Sequence, residues 1–574
     1  MRTNTYQPPF LKGISSFILI LFSSFLLQAQ VAPKRELRGV WIATVLNIDY
    51  PSVPTQSDWV LKEEWIKILD KHKALGINAL YVQIRPTSDA LYKSDIVPWS
   101  RYLTGNSGLP PDNNYDPLAF MIQTAHDRGF EFHAWLNPYR ASMDNQDGTQ
   151  FAPNHVMNQH PDWCFKYGKR YILNPGLPEV RAHVNDVVAE IVQKYDVDGI
   201  HFDDYFYPYK IAGESFPDGL TYQQYGSGFN NIEDWRRNNV DLLIYNLSKT
   251  IKQIKPRVQF GISPFGVWRN NSKDPQGSAT QAGLTCYDDL YADVRKWLRE
   301  SWIDYATPQV YWTLGFSIAE HATIVKWWVD NSAGKPIYIG LGAYRVGQSS
   351  PREPAWGDPA EIGRQIRLSR AYKEVKGVVF FSSKSLLTNA LGMGDTLVQN
   401  YYRYPALAPE VIKDTTLLEC DAPELRNVIA ENGQVVVRWK PSRKTTKRLP
   451  FQYVVYRFDN GNIDFTNGQN IKTLIPFDSK DLTFLDKNVV SDYTYTYAVT
   501  VVDCQLHETP ADDVATVGPP IRLPPPPPSR DSVSKTHPVK IEKKKRKGFW
   551  CWLFGCKSKE VKSISSPPAM RRSQ

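Results

Sequence analysis

From Leu37 to Pro405 short β-rich runs alternate with amphipathic helical stretches, and that alternation restricts the fold more than any other feature of the chain. The predicted strands begin at Leu37, Asn78, Phe130, Val197, Val258, Asp304, Pro336 and Gly377. Between them, stretches such as EEWIKILDKHKALG and PEVRAHVNDVVAEIVQKY place apolar residues every three to four positions, as a helix with one buried face requires. Eight such repeats over residues 36–408 predict an α/β chain, a (β/α)8 TIM barrel with long loops. A doubly wound sheet is the alternative. It would favour a glycine-rich phosphate turn after the first strand, and GVWIATVLNIDYPS contains none.

After Pro409 the texture changes to alternating strands without intervening helices. Trp439 sits on an early strand, in VVVRW, and Tyr493, Tyr495 and Tyr497 on a late one, in SDYTYTYAVTVVD. Over residues 420–518 this resembles a small all-β fibronectin type III-like sandwich, in which a late-strand Tyr closes a corner. Residues 519–574 open with a PPPPPS spacer and continue into KTHPVKIEKKKRKGFWCWLFGCKSK. Two readings of that tail stand: a Pro-rich, basic disordered segment, or peripheral contact of a basic, aromatic segment with an anionic membrane surface.

The N-terminus carries Arg2 and Lys12, then the apolar run Ile14 to Leu27, then a small residue at Ala29. This is the pattern of a secretory signal peptide over residues 1–30. The run is short for a bilayer span, which needs ~20 apolar residues. The expected address is therefore exported, periplasmic or associated with the cell envelope. Much of the formal charge of +9 comes from the tail run Lys543 to Lys547, so the composition does not describe a nucleic-acid binder. For an exported chain, a Cys420–Cys504 bridge is plausible, and Cys164 and Cys286 either pair or stay as buried thiols.

Alternate residues of a barrel strand face opposite ways. The outward set packs on helices and is apolar, so polar residues of the other parity face the lumen or the mouth. In VDGIHFDDYFYP this sends Ile200 and Phe202 outward and His201, Asp203 and Tyr205 inward. The third strand contributes His133, Trp135 and Asn137, the second Gln83 and Arg85, the fifth Ser263, and the sixth Gln309 and Tyr311. Trp41 joins them from the first strand, where neither face is polar and parity is ambiguous. The C-terminal mouth is where such barrels do chemistry. Rings, amides, Arg and carboxylates, with no HxH, HExxH or HxxxH spacing, suit a polyhydroxylated ligand bound without metal or cofactor.

Asp203 has lumen parity and Asp204 begins the following loop. Glycoside hydrolysis needs two carboxyl groups, ~5–5.5 Å apart for retention or ~6.5–9.5 Å for inversion, and neighbouring residues can meet either distance. Each candidate has a bland alternative. Asp203 could sit in a structural ion pair, with Arg85 as its neutraliser, and Asp204 could be a cap. His133 and His201 could be satisfied core histidines, and Trp135 could be packing. Glu320, in GFSIAEHA, is a further acid that reads better as the opening of a helix; Asp293 and Arg295 read as scaffold.

ELRGVWIATVLNIDYPS, INALYVQIRPTSDALY, FHAWLNPYR, VDGIHFDDYFYP, GISPFGVWRN, DYATPQVYW and YIGLGAYRVG together resemble the glycosyl hydrolase-like 10 family, over nearly the whole barrel. The resemblance implies a (β/α)8 glycosidase acting on envelope glycan, at least one relative cleaving peptidoglycan strands whose stem peptides have been removed. It implies that Asp203 and Asp204 form the catalytic centre, with Arg85, Asn137 and Tyr311 as contacts. Chitinase-like barrels carry DGxDxDxE on the fourth strand. Here those parity positions hold His201, Asp203 and Tyr205, so the proton-donating Glu is absent. The expected activity is hydrolysis of a cell-envelope polysaccharide, peptidoglycan foremost, by the Asp203–Asp204 pair. The rivals are a glycan-binding protein on a catalytically inert barrel and, last, a metal-dependent deacetylase.

Overall fold

The computed structural model describes residues 32–518 apart from 144–149, 411–420, 442–449, 478, 480, 491, 492 and 504. The expected signal peptide, the Cys420–Cys504 bridge and the tail lie outside the described residues. Cys164 and Cys286 are both free thiols.

Eight parallel strands close into a barrel, each paired with its neighbours in chain order. They are β1 (Leu37–Ile42), β2 (Ala79–Arg85), β3 (Glu131–Leu136), β4 (Gly199–Phe202), β5 (Gln259–Ile262), β6 (Tyr305–Ala306), β7 (Ile337–Leu341) and β8 (Val375–Phe380). Helices return the chain between them, among them Asp58–Ala74, Pro178–Lys194 and Ile232–Ile254. Short polar side chains start several of these helices: Ser57 accepts from Val60 N, Asp116 from Ala119 N and Asn231 from Asp234 N. Strand β6 is only two residues long, because Pro308 has no N–H to give the ladder. Its continuation is held by bridges from Gln309 to Phe265 and to Gly340.

Strand parity sorts the side chains as expected. Val40, Val82, Ile84, Ala134, Leu136, Ile200, Phe202 and Ile262 belong to the large core between strands and helices. Trp41, Tyr81, Trp135, Tyr305, Tyr338 and Val379 form a separate cluster inside the barrel, which settles Trp41 as a lumen residue. Glycines make room for the large lumen groups. A Cβ on Gly199 would meet His133 Nδ1 at 2.3 Å, and one on Gly261 would meet the Tyr305 ring at 2.0 Å.

One element breaks parity. The register of β2 on β3 shifts between Gln83, opposite Trp135, and Arg85, opposite the outward-facing Leu136. This bulge takes Arg85 out of the lumen series. The loop after β3 also holds a short antiparallel hairpin, Cys164–Tyr167 with Arg170–Leu173, that periodicity did not signal.

The C-terminal strands form two antiparallel sheets. One has three strands (Leu425–Glu431, Gln434–Trp439, Thr483–Asp486) and the other four (Ile471–Pro476, Pro450–Asp459, Tyr495–Asp503, Val514–Val517). Trp439, Tyr453, Tyr497 and Val499 fill the core they share. Val454, Tyr456 and Phe458 pack instead with Leu407 and Ala408, the chain leaving the barrel.

Candidate active site

The C-terminal ends of the strands surround a cleft of about 400 Å³. Trp41, Gln83, Trp135, Asp203, Asp204, Tyr205, Ser263, Gln309 and Tyr311 all line it. Four of the expected contacts do not. Asn137 stands directly behind Asp203. Arg85, His133 and His201 lie elsewhere, each for a physical reason.

Asp203 is 4% exposed and is held from three sides. Trp135 Nε1 donates to its Oδ2 at 3.1 Å, the Asn137 amide donates to Oδ1 at 3.1 Å and to Oδ2 at 2.9 Å, and the Tyr205 backbone N–H donates to Oδ1 at 3.2 Å. Burial raises its carboxyl above the ordinary aspartate range, opposed by the charge of Arg140 and by these donors. Asp204 is 2% exposed and accepts from the Tyr209 hydroxyl. Burial and then the negative charge of Asp203 push it up to about 7, against the Tyr209 and Gln309 hydrogen bonds. Asp203 has a guanidinium and four N–H contacts; Asp204 has an adjacent anion. Their environments therefore separate two chemically identical groups, leaving a proton on Asp204 near neutrality while Asp203 ionises first.

Arg85 is fully buried. Its Nη1 donates to Asn137 O at 2.7 Å and Pro138 O at 3.2 Å, so it braces the backbone behind the site and reaches neither Asp203 nor the cleft. The cation that acts on Asp203 is Arg140, in NPYR just beyond β3. It is 5% exposed, lies over the Tyr205 ring at 5.3 Å, and donates through Nε to Pro86 O at 3.0 Å.

His133 and His201 belong to the lumen beneath the cleft floor. His133 Nδ1 meets Tyr305 Oη at 2.9 Å, and His201 Nδ1 meets the same oxygen at 3.1 Å. Ser263 Oγ lies 2.9 Å from His201 Nε2 and Trp41 Nε1 3.3 Å from it. Both are core histidines and not cleft contacts: His201 has partners at both ring nitrogens, His133 at Nδ1 alone with its Nε2 3.6 Å from Glu131 Oε2, and burial drives His201 well below its usual value, which keeps it neutral. Glu320 caps the helix His321–Asp330 by accepting from Thr323 N, and Asp293 caps Val294–Arg299. Arg295 donates to Asn331 Oδ1 at 2.7 Å, as scaffold.

Strand parity missed the loop residues Arg140, Tyr209 and Arg345. Tyr209 stacks on Tyr205 with ring centroids 5.0 Å apart, and Arg345 lines the wall after β7. Both arginines stand at the ends of strand segments in the sequence, in LNPYR and GLGAYR, where a parity count has already stopped.

Residues 36–358 match the family described as glycosyl hydrolase-like 10. Glycosyl hydrolase YngK of Bacillus subtilis strain 168 is 44% identical over 519 residues, which is 88% of this chain and 99% of that protein. Glycosyl hydrolase DigH of Escherichia coli K12 is 43% identical over 367 residues, 60% of this chain and 82% of that one.

Proposed function

The chain belongs to the glycosyl hydrolase-like 10 family, and on that premise we propose that it is an exported hydrolase of cell-envelope glycan, cutting peptidoglycan strands with Asp203 and Asp204. One observation carries the proposal: adjacent buried aspartates open into one cleft, and burial together with the charge of Asp203 pushes Asp204 up to about 7.

Asp204, protonated near neutrality, is the general acid that gives its proton to the departing glycosidic oxygen. Asp203, ionised and oriented by Trp135, Asn137 and the Tyr205 N–H, attacks the anomeric carbon or activates the water that does. Arg140 stabilises the Asp203 anion. The rings of Trp41, Tyr205, Phe265 and Trp312 give sugar faces a surface to stack on, with Gln83 and Gln309 among them for hydroxyl groups. The N-terminal apolar run supports export. The three-plus-four strand order and the buried Trp439 support reading the C-terminal module as fibronectin type III-like.

The test is mass spectrometry of products released from purified glycan strands. The wild-type chain should release soluble saccharides, and Asp203→Asn and Asp204→Asn should each fold normally and release them at least ~100-fold more slowly. Turnover retained in both variants would refute the assignment. Binding of strands by the wild-type chain without any product would mark an inert binding barrel.

A further inference from the structure

A second cavity, of about 260 Å³, lies at the opposite end of the barrel from the cleft, where the barrel floor meets the C-terminal module. The starts of β2 and β3 bring Asn78 and Glu131 to it, helix Asp58–Ala74 brings Lys73, the chain leaving the barrel brings Arg403, and the four-stranded sheet brings Gln452. These polar groups are unevenly used. The Asn78 amide is fully engaged, accepting from Arg38 N at 2.8 Å and donating to Glu36 O at 2.9 Å and Ala406 O at 3.1 Å. Glu131 and Gln452 are only 5% and 3% exposed. Among the described residues Gln452 has no side-chain hydrogen bond, and the Glu131 carboxylate has only His133 Nε2 beside it, at 3.6 Å. The Gln452 amide reaches the barrel at Gly129, where a Cβ would stand 2.9 Å from its Oε1. Lys73 and Arg403 line the cavity from exposed positions, and among the described residues neither has a carboxylate partner. Buried polar groups ordinarily have partners, so a buried acid and a buried amide on one cavity wall require a polar occupant.

We propose that this cavity binds a small zwitterion, an α-amino acid, whose ammonium meets Glu131 and whose carboxylate meets Arg403 or Lys73. The charges set the class. The acid is buried and the two cations stand at the open side, so a ligand with one charge satisfies one end and leaves the other. The volume sets the size: about 260 Å³ falls below the ~300–1,000 Å³ of sites for larger molecules. The Gln452 amide serves either end, since it donates through its nitrogen and accepts through its oxygen. Glu131 belongs to the barrel and Gln452 to the C-terminal module, so the bound molecule also ties one to the other. The site is separate from the glycan cleft and does not depend on the hydrolase reading.

Isothermal titration calorimetry of the full chain with D-alanine, L-alanine, ethylamine and propionate tests the assignment. At least one alanine enantiomer should bind saturably at a single site. Ethylamine and propionate, each with one charge, should bind at least ~10-fold more weakly. Glu131→Gln should weaken alanine by ~10–100-fold, as expected for the loss of one charged hydrogen-bonding partner. The exposed pair Lys73→Gln with Arg403→Gln, which disturbs no buried group, should also weaken alanine and leave ethylamine unaffected. No binding of either alanine at millimolar concentration would overturn the inference. So would ethylamine or propionate binding as tightly as alanine, or alanine affinity unchanged in both sets of variants. Glycan cleavage is read separately, so each of these outcomes leaves the hydrolase reading standing.

Discussion

The mouth of the barrel and the lumen just beneath it are built from the same strands, often from residues two apart. His201 and Asp203 share β4 parity, and so do His133 and Trp135 on β3. Both regions are polar and almost closed to solvent. In the lumen, Tyr305 joins His133 to His201, Ser263 meets His201 from above, and the polar groups largely use one another. At the mouth, Trp135, Asn137 and the Tyr205 N–H hold Asp203, and both aspartates still line a cleft of about 400 Å³. Buried polarity at the right parity is therefore not enough to mark a site. What distinguishes the aspartates is that their surroundings leave a charge conflict facing open space, whereas the histidines are enclosed beneath the cleft floor.

Exchanging Asp204 for Asn should break the comparison most visibly. Turnover should fall by ~10²–10⁴-fold, the usual contribution of a positioned acid. Stability should move the other way. The folded-state value of about 7 exceeds the ~3.9 of a free aspartate, so wild type loses stability as pH rises from about 4 to about 7 and carries that loss above it. Melting curves should show the Asn variant gaining on wild type at pH 8 and matching it at pH 4. The same proton predicts a wild-type kcat/KM that declines as pH climbs through about 7, because the acid is then ionised.

Tyr305→Phe tests the other region. Removing the hydroxyl shared by the two histidines should cost about 1–3 kcal/mol of stability, seen in urea unfolding, and leave kcat/KM intact. A collapse of kcat/KM with unchanged stability would mean that the lumen layer takes part in the chemistry after all. Tyr209→Phe should be milder: losing a donor to Asp204 should carry the alkaline limb of the pH–rate profile upward by about one pH unit, the worth of one hydrogen bond. Glu320→Ala should be the smallest change. It removes a helix cap for about 0.5–1 kcal/mol in thermal unfolding, with kinetics untouched, as befits an acid outside the cleft.

By itself the sequence determined the barrel, the orientation of most strands, and the arrival of Asp203 and Asp204 at the mouth. These follow from local physics: a two-residue side-chain alternation and a helical apolar stripe can be read without knowing what packs against them. The tertiary structure alone decided which polar residues reach open space. A one-residue bulge in β2 turned Arg85 from a cleft contact into a backbone brace. The residues that replaced it, Arg140, Tyr209 and Arg345, stand on loops, where no period predicts direction. The division of labour within the acid pair was equally invisible, since two neighbouring aspartates are identical in sequence. Only the donors, the arginine and the burial gathered around them from β3, β4, the segment after β6 and the loops that follow separate their proton affinities, and electrostatics of that kind depends on distance in space, not along the chain.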